Sequence, residues 1–112
     1  MASVELLSVI GNEYNPEILQ AAYEPRSAQE LSETLGVPIA TCYRRIEELT
    51  EADLLELYDR PLSDEHRRIN VYRRNVDEVH VEFRQGDCTV RVEARSEVKN
   101  KLDDVWRSLA DR

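Results

Sequence analysis

The residues best suited to chemistry in this chain of 112 residues are arginines, and they are unevenly placed. The whole chain holds 15 basic and 23 acidic residues, which gives a formal net charge of −8. Residues 60–75 nevertheless hold five arginines against two acids, namely Arg60, Arg67, Arg68, Arg73 and Arg74 against Asp64 and Glu65. Because phosphate groups are bound by cations, this segment predicts a small anion-binding surface on an acidic body. Neutralisation of the two neighbouring acids is the alternative role.

A second basic pair, Arg44 and Arg45, lies in a segment of helical period. Apolar residues recur at i, i+4 and i+7, which predicts an amphipathic helix over residues 39–52. Its inward face is formed by Cys42, Ile46 and Leu49. The residues left outward or flanking are Ile39, Ala40, Thr41, Tyr43, Arg44 and Arg45. Pairing with Glu47 and Glu48 along a solvated helix is the alternative role for the two arginines.

Cysteine, histidine and enzyme chemistry have little support in the sequence. Cys42 is predicted to face inward and Cys88 to lie on the apolar face of a hairpin, so both are interpreted as small core residues. His66 and His80 lack the spacing of metal ligands. No phosphate-cradling glycine loop, nucleophile elbow or histidine–acid arrangement is present. We therefore predict no enzymatic activity, no cofactor and no metal site.

The elements that must position the arginine pair can be predicted from helix start and stop signals. Ser27 and Glu30 form a capping box that begins a helix, and Gly36 ends it. The helix that carries the arginine pair follows after a short turn, so the two form a helix-turn-helix. Two short helices are predicted before them, the first capped by Ser3 and the second by Asn15.

The second half of the chain changes to the two-residue period of strands. Leu55 and Leu57, and then Ile69 and Val71, alternate with polar residues, which predicts two strands joined by the basic loop. A second hairpin is predicted with Gly86 and the following Asp87 as a two-residue turn. Its register places apolar pairs on one face, namely Phe83 with Val90, Val81 with Val92 and Val79 with Ala94.

A final helix is predicted from Ser96 to about residue 110. Its apolar stripe consists of Val98, Leu102, Val105, Trp106 and Leu109. Spacings of four, three and four are those of a coiled-coil seam, so this stripe is predicted to form a homodimer interface. Part of the same stripe is expected to cover the apolar face of the second hairpin.

Composition favours one folded domain. With 41% apolar and 34% charged residues, the chain is long enough for a single core. No apolar run approaches the roughly 20 residues of a membrane span, and the N-terminus has no cationic segment. We therefore expect a soluble, cytoplasmic protein without a membrane partner.

The stretch from Ser27 to Arg74 resembles winged helix-turn-helix transcriptional regulators, specifically the ArsR-like group of archaea. The most specific portions are AQELSETLGVPIATCYRRIEEL and EADLL, where the family usually reads E-A-G-L-L. Asp53 replaces that glycine, and Asp tolerates positive φ better than most residues. The acidic, lysine-poor composition resembles that of halophilic archaeal proteins. In molar salt the Debye length is about 3 Å, so an acidic body hardly repels DNA.

The resemblance implies an α+β winged helix-turn-helix fold with an additional C-terminal β-hairpin and helix. Residues 1–75 would be the DNA-binding domain, with the helix-turn-helix at 27–52 and the wing at 54–74. Residues 76–112, the hairpin and the dimerisation helix, would belong to the same compact unit.

It also implies a sequence-specific regulator that binds double-stranded DNA as a homodimer. The helix at 39–52 would enter the major groove, and the wing at 60–68 would contact the backbone or minor groove. The residues predicted to contact DNA are Ala40, Thr41, Tyr43, Arg44, Arg45, Arg60, His66, Arg67 and Arg68. A winged-helix protein-interaction module is the main alternative, and a ligand- or redox-gated sensor is a further one. The basic wing favours DNA.

Overall fold

The computed structural model of the chain describes residues 1–96. Its helices and strands in this range are α1 Ser3–Ile10, α2 Asn15–Ala21, β1 Arg26–Ser27, α3 Ala28–Leu35, α4 Ile39–Glu51, β2 Leu55–Asp59, β3 Val71–Arg74, β4 Val76–Arg84 and β5 Asp87–Ala94. The predicted α+β winged helix-turn-helix architecture with an added hairpin is confirmed. The predicted final helix, with its apolar stripe, lies outside the described residues.

The strands form two antiparallel sheets. The first has the order β1-β3-β2 and the second consists of β4 and β5. Strand β1, which the sequence did not predict, pairs Arg26 with Tyr72 and Ser27 with Val71. Strand β3 begins at Val71, so Ile69 belongs to the wing loop and not to the strand as predicted.

The core lies within the helix-turn-helix and its sheet. Its buried apolar residues are Ile18, Ala22, Ala28, Leu31, Val37, Cys42, Ile46, Leu49, Leu54, Leu55 and Val76. The inward face predicted for α4 is confirmed, because Cys42, Ile46 and Leu49 are all buried. Of the β4–β5 hairpin, Val76 alone is buried among the described residues.

Local capping determines how α3 and α4 are joined. The Ser27 hydroxyl accepts a hydrogen bond from the Glu30 N–H, and the Glu30 carboxylate accepts one from the Ser27 N–H, each at 3.1 Å. Gly36 ends α3 in the left-handed region with φ 67°. Asp53 follows α4 with φ 60°, which confirms that this position takes positive φ. These features determine the conformation of the turn before α4 and of the residues that follow it.

The caps predicted for α1 and α2 are wrong. The N-cap of α1 is Ala2, and the Ser3 hydroxyl instead accepts a hydrogen bond from the Val90 N–H at 3.1 Å. Asn15 is already the first residue of α2. Its side chain is buried and donates to the Val9 carbonyl at 2.6 Å. Both polar side chains bind partners outside their own helix, which leaves them unavailable as caps.

The predicted register of the second hairpin is also wrong, by two residues. Arg84 pairs with Asp87, so the turn consists of Gln85 and Gly86, with Gln85 at φ 52°. This turn places opposite charges across the first strand pair, which stabilises it. A shift of two residues keeps every side chain on its predicted face. The apolar pairs are therefore Val81 with Val90 and Val79 with Val92.

Candidate nucleic-acid interface

The N-terminal half of α4 presents the predicted groove-facing side chains to solvent. Ala40, Tyr43 and Arg44 are exposed, and Thr41 is half-buried. The Arg44 guanidinium donates to the Thr41 hydroxyl at 3.2 Å across one turn of the helix. A guanidinium at the start of a groove-facing helix can form a bidentate pair with guanine O6 and N7.

Arg45 occupies a different environment. Its guanidinium donates to the Glu48 carboxylate at 3.0 Å, and the two side chains are only 23% and 26% exposed. The other Glu48 oxygen accepts hydrogen bonds from the side-chain amides of Asn12 at 2.9 Å and Asn15 at 3.3 Å. Arg45 therefore forms the ion pair that was predicted as its alternative role, whereas Arg44 is exposed.

The wing loop is organised by Ser63. Its carbonyl accepts from the His66 N–H at 2.9 Å, and its N–H donates to the Arg67 carbonyl at 2.7 Å. The Arg68 guanidinium donates to the Arg60 carbonyl at 3.1 Å, which ties the two ends of the loop together. His66 takes φ 60° at the tip. The four predicted wing residues are all exposed on this loop.

Two arginines of the basic segment belong to the fold and not to the wing surface. Arg73 pairs with Glu56, its Nε donating at 3.1 Å, and its guanidinium carbon lies 4.2 Å from the ring centroid of Tyr58. Arg74 donates to the Leu19 carbonyl at 3.2 Å, near the C-terminus of α2. A cation at that end of a helix is favourable. The three arginines of this segment that were predicted to contact DNA, namely Arg60, Arg67 and Arg68, are the exposed ones.

A cleft of about 320 Å³ lies between the helix-turn-helix and the wing. Its lining consists of Ser27, Ala28, Gln29, Tyr43, Arg60, Arg68, Ile69, Asn70 and Tyr72. The predicted residues Tyr43, Arg60 and Arg68 thus meet at one concave surface, while Arg44 lies outside its lining. The sequence did not single out Gln29 or Asn70. Gln29 could have been found from its position in the first turn of the helix that the capping box begins.

The two cysteines differ in their burial, and one of the two histidines lies beside two carboxylates. Burial raises the pKa of the Cys42 thiol, which keeps it in its neutral, unreactive form. Cys88 is half-buried on the hairpin, so its interpretation as a core residue is wrong.

Among the described residues, the metal-ligating side chains that lie together are Glu78, His80 and Glu93 on the hairpin. The spacing of Glu78 and His80 places both on one face of β4, but which residue of β5 lies opposite them depends on the strand register.

A family model described as a helix-turn-helix domain matches residues 11–58. The chain contains a helix-turn-helix domain. This match spans α2 to most of β2 and indicates a DNA-binding regulator, a class that is typically non-enzymatic. A search of the curated proteins found no match. None of the helices in residues 1–96 is long and apolar enough to cross a membrane.

Proposed function

We propose that the protein is an ArsR-like transcriptional regulator that binds a specific double-stranded DNA site as a homodimer. The observation that carries this proposal is the cleft in which Tyr43 of α4 meets Arg60 and Arg68 of the wing. Two elements distant in sequence there present cationic and polar groups to the same concave surface. A protein-binding module would have little need of a basic wing on an acidic body.

The proposal gives the exposed arginines separate roles. Arg44 lies in the first turns of α4, where side chains reach base edges when such a helix enters the major groove. Arg60, Arg67 and Arg68 lie on a wing loop, where a guanidinium meets phosphate oxygens. His66, at the tip of that loop, and Tyr43 are assigned to the backbone. The acidic composition suits a halophilic archaeal protein, whose DNA binding would take place in high salt.

Dimerisation is proposed through the C-terminal part of the chain. On the β4–β5 hairpin, Val79, Val81 and Phe83 are 36%, 41% and 71% exposed on a single face. An exposed apolar face of this kind is typical of an interaction surface. The stripe formed by Val98, Leu102, Val105, Trp106 and Leu109 is the proposed counterpart. A two-fold dimer would place its half-sites about one helical turn, roughly 34 Å, apart on the DNA.

Binding measurements against random and selected duplexes at several salt concentrations test the proposal. Arg44→Ala is expected to weaken binding to the selected site by about 1–3 kcal/mol and to relax the preference at one base pair per half-site. Arg67→Ala and Arg68→Ala are expected to weaken binding to all sequences alike and to reduce the salt slope by about one per contact. Arg84→Ala, which removes an exposed arginine at the hairpin turn, is the matched control. If neither duplex binds at any salt, the protein-interaction module takes the place of this proposal.

A further inference from the structure

The polar face of the β4–β5 hairpin brings one histidine and two glutamates together. In the observed register Glu78 is directly opposite Glu93, and His80 is opposite Arg91. The His80 Nε2 atom lies 3.3 Å from the Glu78 carboxylate and 3.4 Å from the Glu93 carboxylate. One ligand atom from each of the three side chains falls within 4.8 Å of the other two.

This arrangement departs from the charge pattern of the rest of the face. At the turn end Arg84 contacts Glu82 and is opposite Asp87, so unlike charges are neighbours there. Like charges directly opposite each other in an antiparallel pair are destabilising. A neutral imidazole carries no charge that would offset the two carboxylates. A cation bound between Glu78 and Glu93 would relieve the repulsion between them.

We propose that Glu78, His80 and Glu93 form a binding site for a divalent transition-metal ion such as Zn²⁺. One imidazole nitrogen and two carboxylate oxygens are ligand types that Zn²⁺ takes, and three protein ligands leave a fourth position for water. Tetrahedral Zn²⁺ with ligand bonds of about 2.0–2.1 Å requires ligand atoms about 3.3–3.4 Å apart. The two separations from His80 Nε2 match this geometry.

The ligand atoms of these three side chains also favour one class of metal ion. The imidazole favours Zn²⁺ and its neighbours over Mg²⁺ and Ca²⁺, which prefer oxygen ligands. All three residues are exposed, so an ion can reach them without a rearrangement. A bound ion would join β4 to β5 at the end of the hairpin away from its turn.

Calorimetric titration of the full chain with Zn²⁺, and with Mg²⁺ in parallel, tests the site. We expect a single Zn²⁺ per chain, a Zn²⁺-dependent shift of the His80 ring signals in NMR spectra, and no binding of Mg²⁺. His80→Ala and Glu93→Gln should each weaken Zn²⁺ binding by at least about tenfold. Glu82→Gln, which makes the same charge change on the same strand face outside the group, should leave the Zn²⁺ affinity unchanged.

Two further comparisons keep the result unambiguous. Glu93→Gln serves where His80→Ala fails to fold, because it retains the size and polarity of the side chain. Cys88→Ser removes a thiol that could bind Zn²⁺ on the same hairpin, and we expect it to retain the site. Absence of Zn²⁺ binding, unchanged affinity in both ligand variants, or loss of binding in Cys88→Ser would each overturn the proposal. None of these outcomes depends on whether the chain binds DNA.

Discussion

The helix-turn-helix and the β4–β5 hairpin bury their apolar residues to very different degrees. Leu49 of α4 is fully buried, as are Ile18 and Leu54, whereas Phe83 of β4 is 71% exposed. Both regions have a clear apolar face in the sequence. An apolar face found from periodicity therefore does not reveal what covers it. The helix-turn-helix covers its own apolar face, whereas α1 packs against β5 and leaves Val79, Val81 and Phe83 of β4 exposed.

The comparison predicts that the two regions respond differently to loss of apolar volume. Leu49→Ala is expected to lower the free energy of unfolding by about 2–5 kcal/mol, because it leaves a cavity in a core that is closed within one chain. That loss should not depend on protein concentration. Phe83→Ala should instead have an effect that grows with protein concentration, because Phe83 lies on the proposed dimer interface. Denaturant unfolding at several protein concentrations separates the two, and identical behaviour would contradict the comparison.

The proposed dimer interface can be tested by substitutions outside the buried core. Replacing Leu102 and Leu109 with Glu, or Phe83 with Glu, is expected to weaken the proposed dimerisation by about a hundredfold, because each change would place a charge in the proposed apolar interface. Light scattering measures the mass, and circular dichroism confirms that the fold is retained. Thr89→Glu, on the polar face of the same hairpin, is the matched control. Variants that stay dimeric would move the interface to α1 or elsewhere.

The sequence predicted most of the fold because the signals that determine it are local. The Ser27–Glu30 capping box, the left-handed residue Gly36 and the alternation along β4 each depend on a few neighbouring residues. The predicted hairpin register was wrong by two residues, but each side chain was still assigned to the correct face because side chains alternate with period two. Local patterns thus determine the type of element and its faces more reliably than they determine its exact partners.

The candidate interface was harder to predict because contacts with residues far away in the sequence determine which arginines remain exposed. Arg74 is held by the carbonyl of Leu19, 55 residues earlier in the chain. Glu48, which pairs with Arg45, also binds Asn12, 36 residues away. Neither contact has a signature in the neighbouring sequence. Counting arginines therefore finds the basic segment but cannot separate wing residues from residues that join the helices to the sheet.

The difference in burial between the helix-turn-helix and the hairpin also predicts different reactivities for the two cysteine thiols. Cys42 is buried with a raised thiol pKa, while Cys88 is half-buried on the hairpin. A thiol reagent near neutral pH should therefore modify Cys88 at least about tenfold faster than Cys42. Mass spectrometry of peptides from partly labelled protein measures both rates. Equal rates would show that the helix-turn-helix core opens as readily as the hairpin.

The raised pKa of Cys42 also has a consequence at alkaline pH. A thiol whose pKa is raised on folding contributes stability that is fully present below its ordinary pKa of 9.0 and is lost as the pH rises through the higher folded value. Cys42→Ala should therefore reduce the loss of stability above about pH 9. Thermal unfolding from pH 7 to 10 tests this, and an unchanged alkaline slope would contradict it.

The smallest expected effect concerns Arg45, and it tests whether Glu48 withholds this arginine from DNA. Glu48→Gln removes the charge that holds the Arg45 guanidinium while keeping an oxygen for the Asn12 and Asn15 amides. DNA affinity should rise about two- to fivefold, which is the effect of one ion pair near the protein surface. Glu47→Gln removes the same charge from an exposed position of α4, so any gain common to both variants reflects reduced repulsion alone.

The contribution of Arg45 is isolated by adding Arg45→Ala to each background. In the chain with Glu48 intact, Arg45→Ala is expected to change DNA affinity little, because the guanidinium is already paired. In the Glu48→Gln background the same change should abolish the gain, and the salt slope should fall by about one. This double-mutant cycle measures the coupling between the two side chains directly. If Arg45→Ala weakens binding equally in both backgrounds, Arg45 contacts DNA despite its pairing with Glu48, and the distinction between the two arginines of α4 disappears.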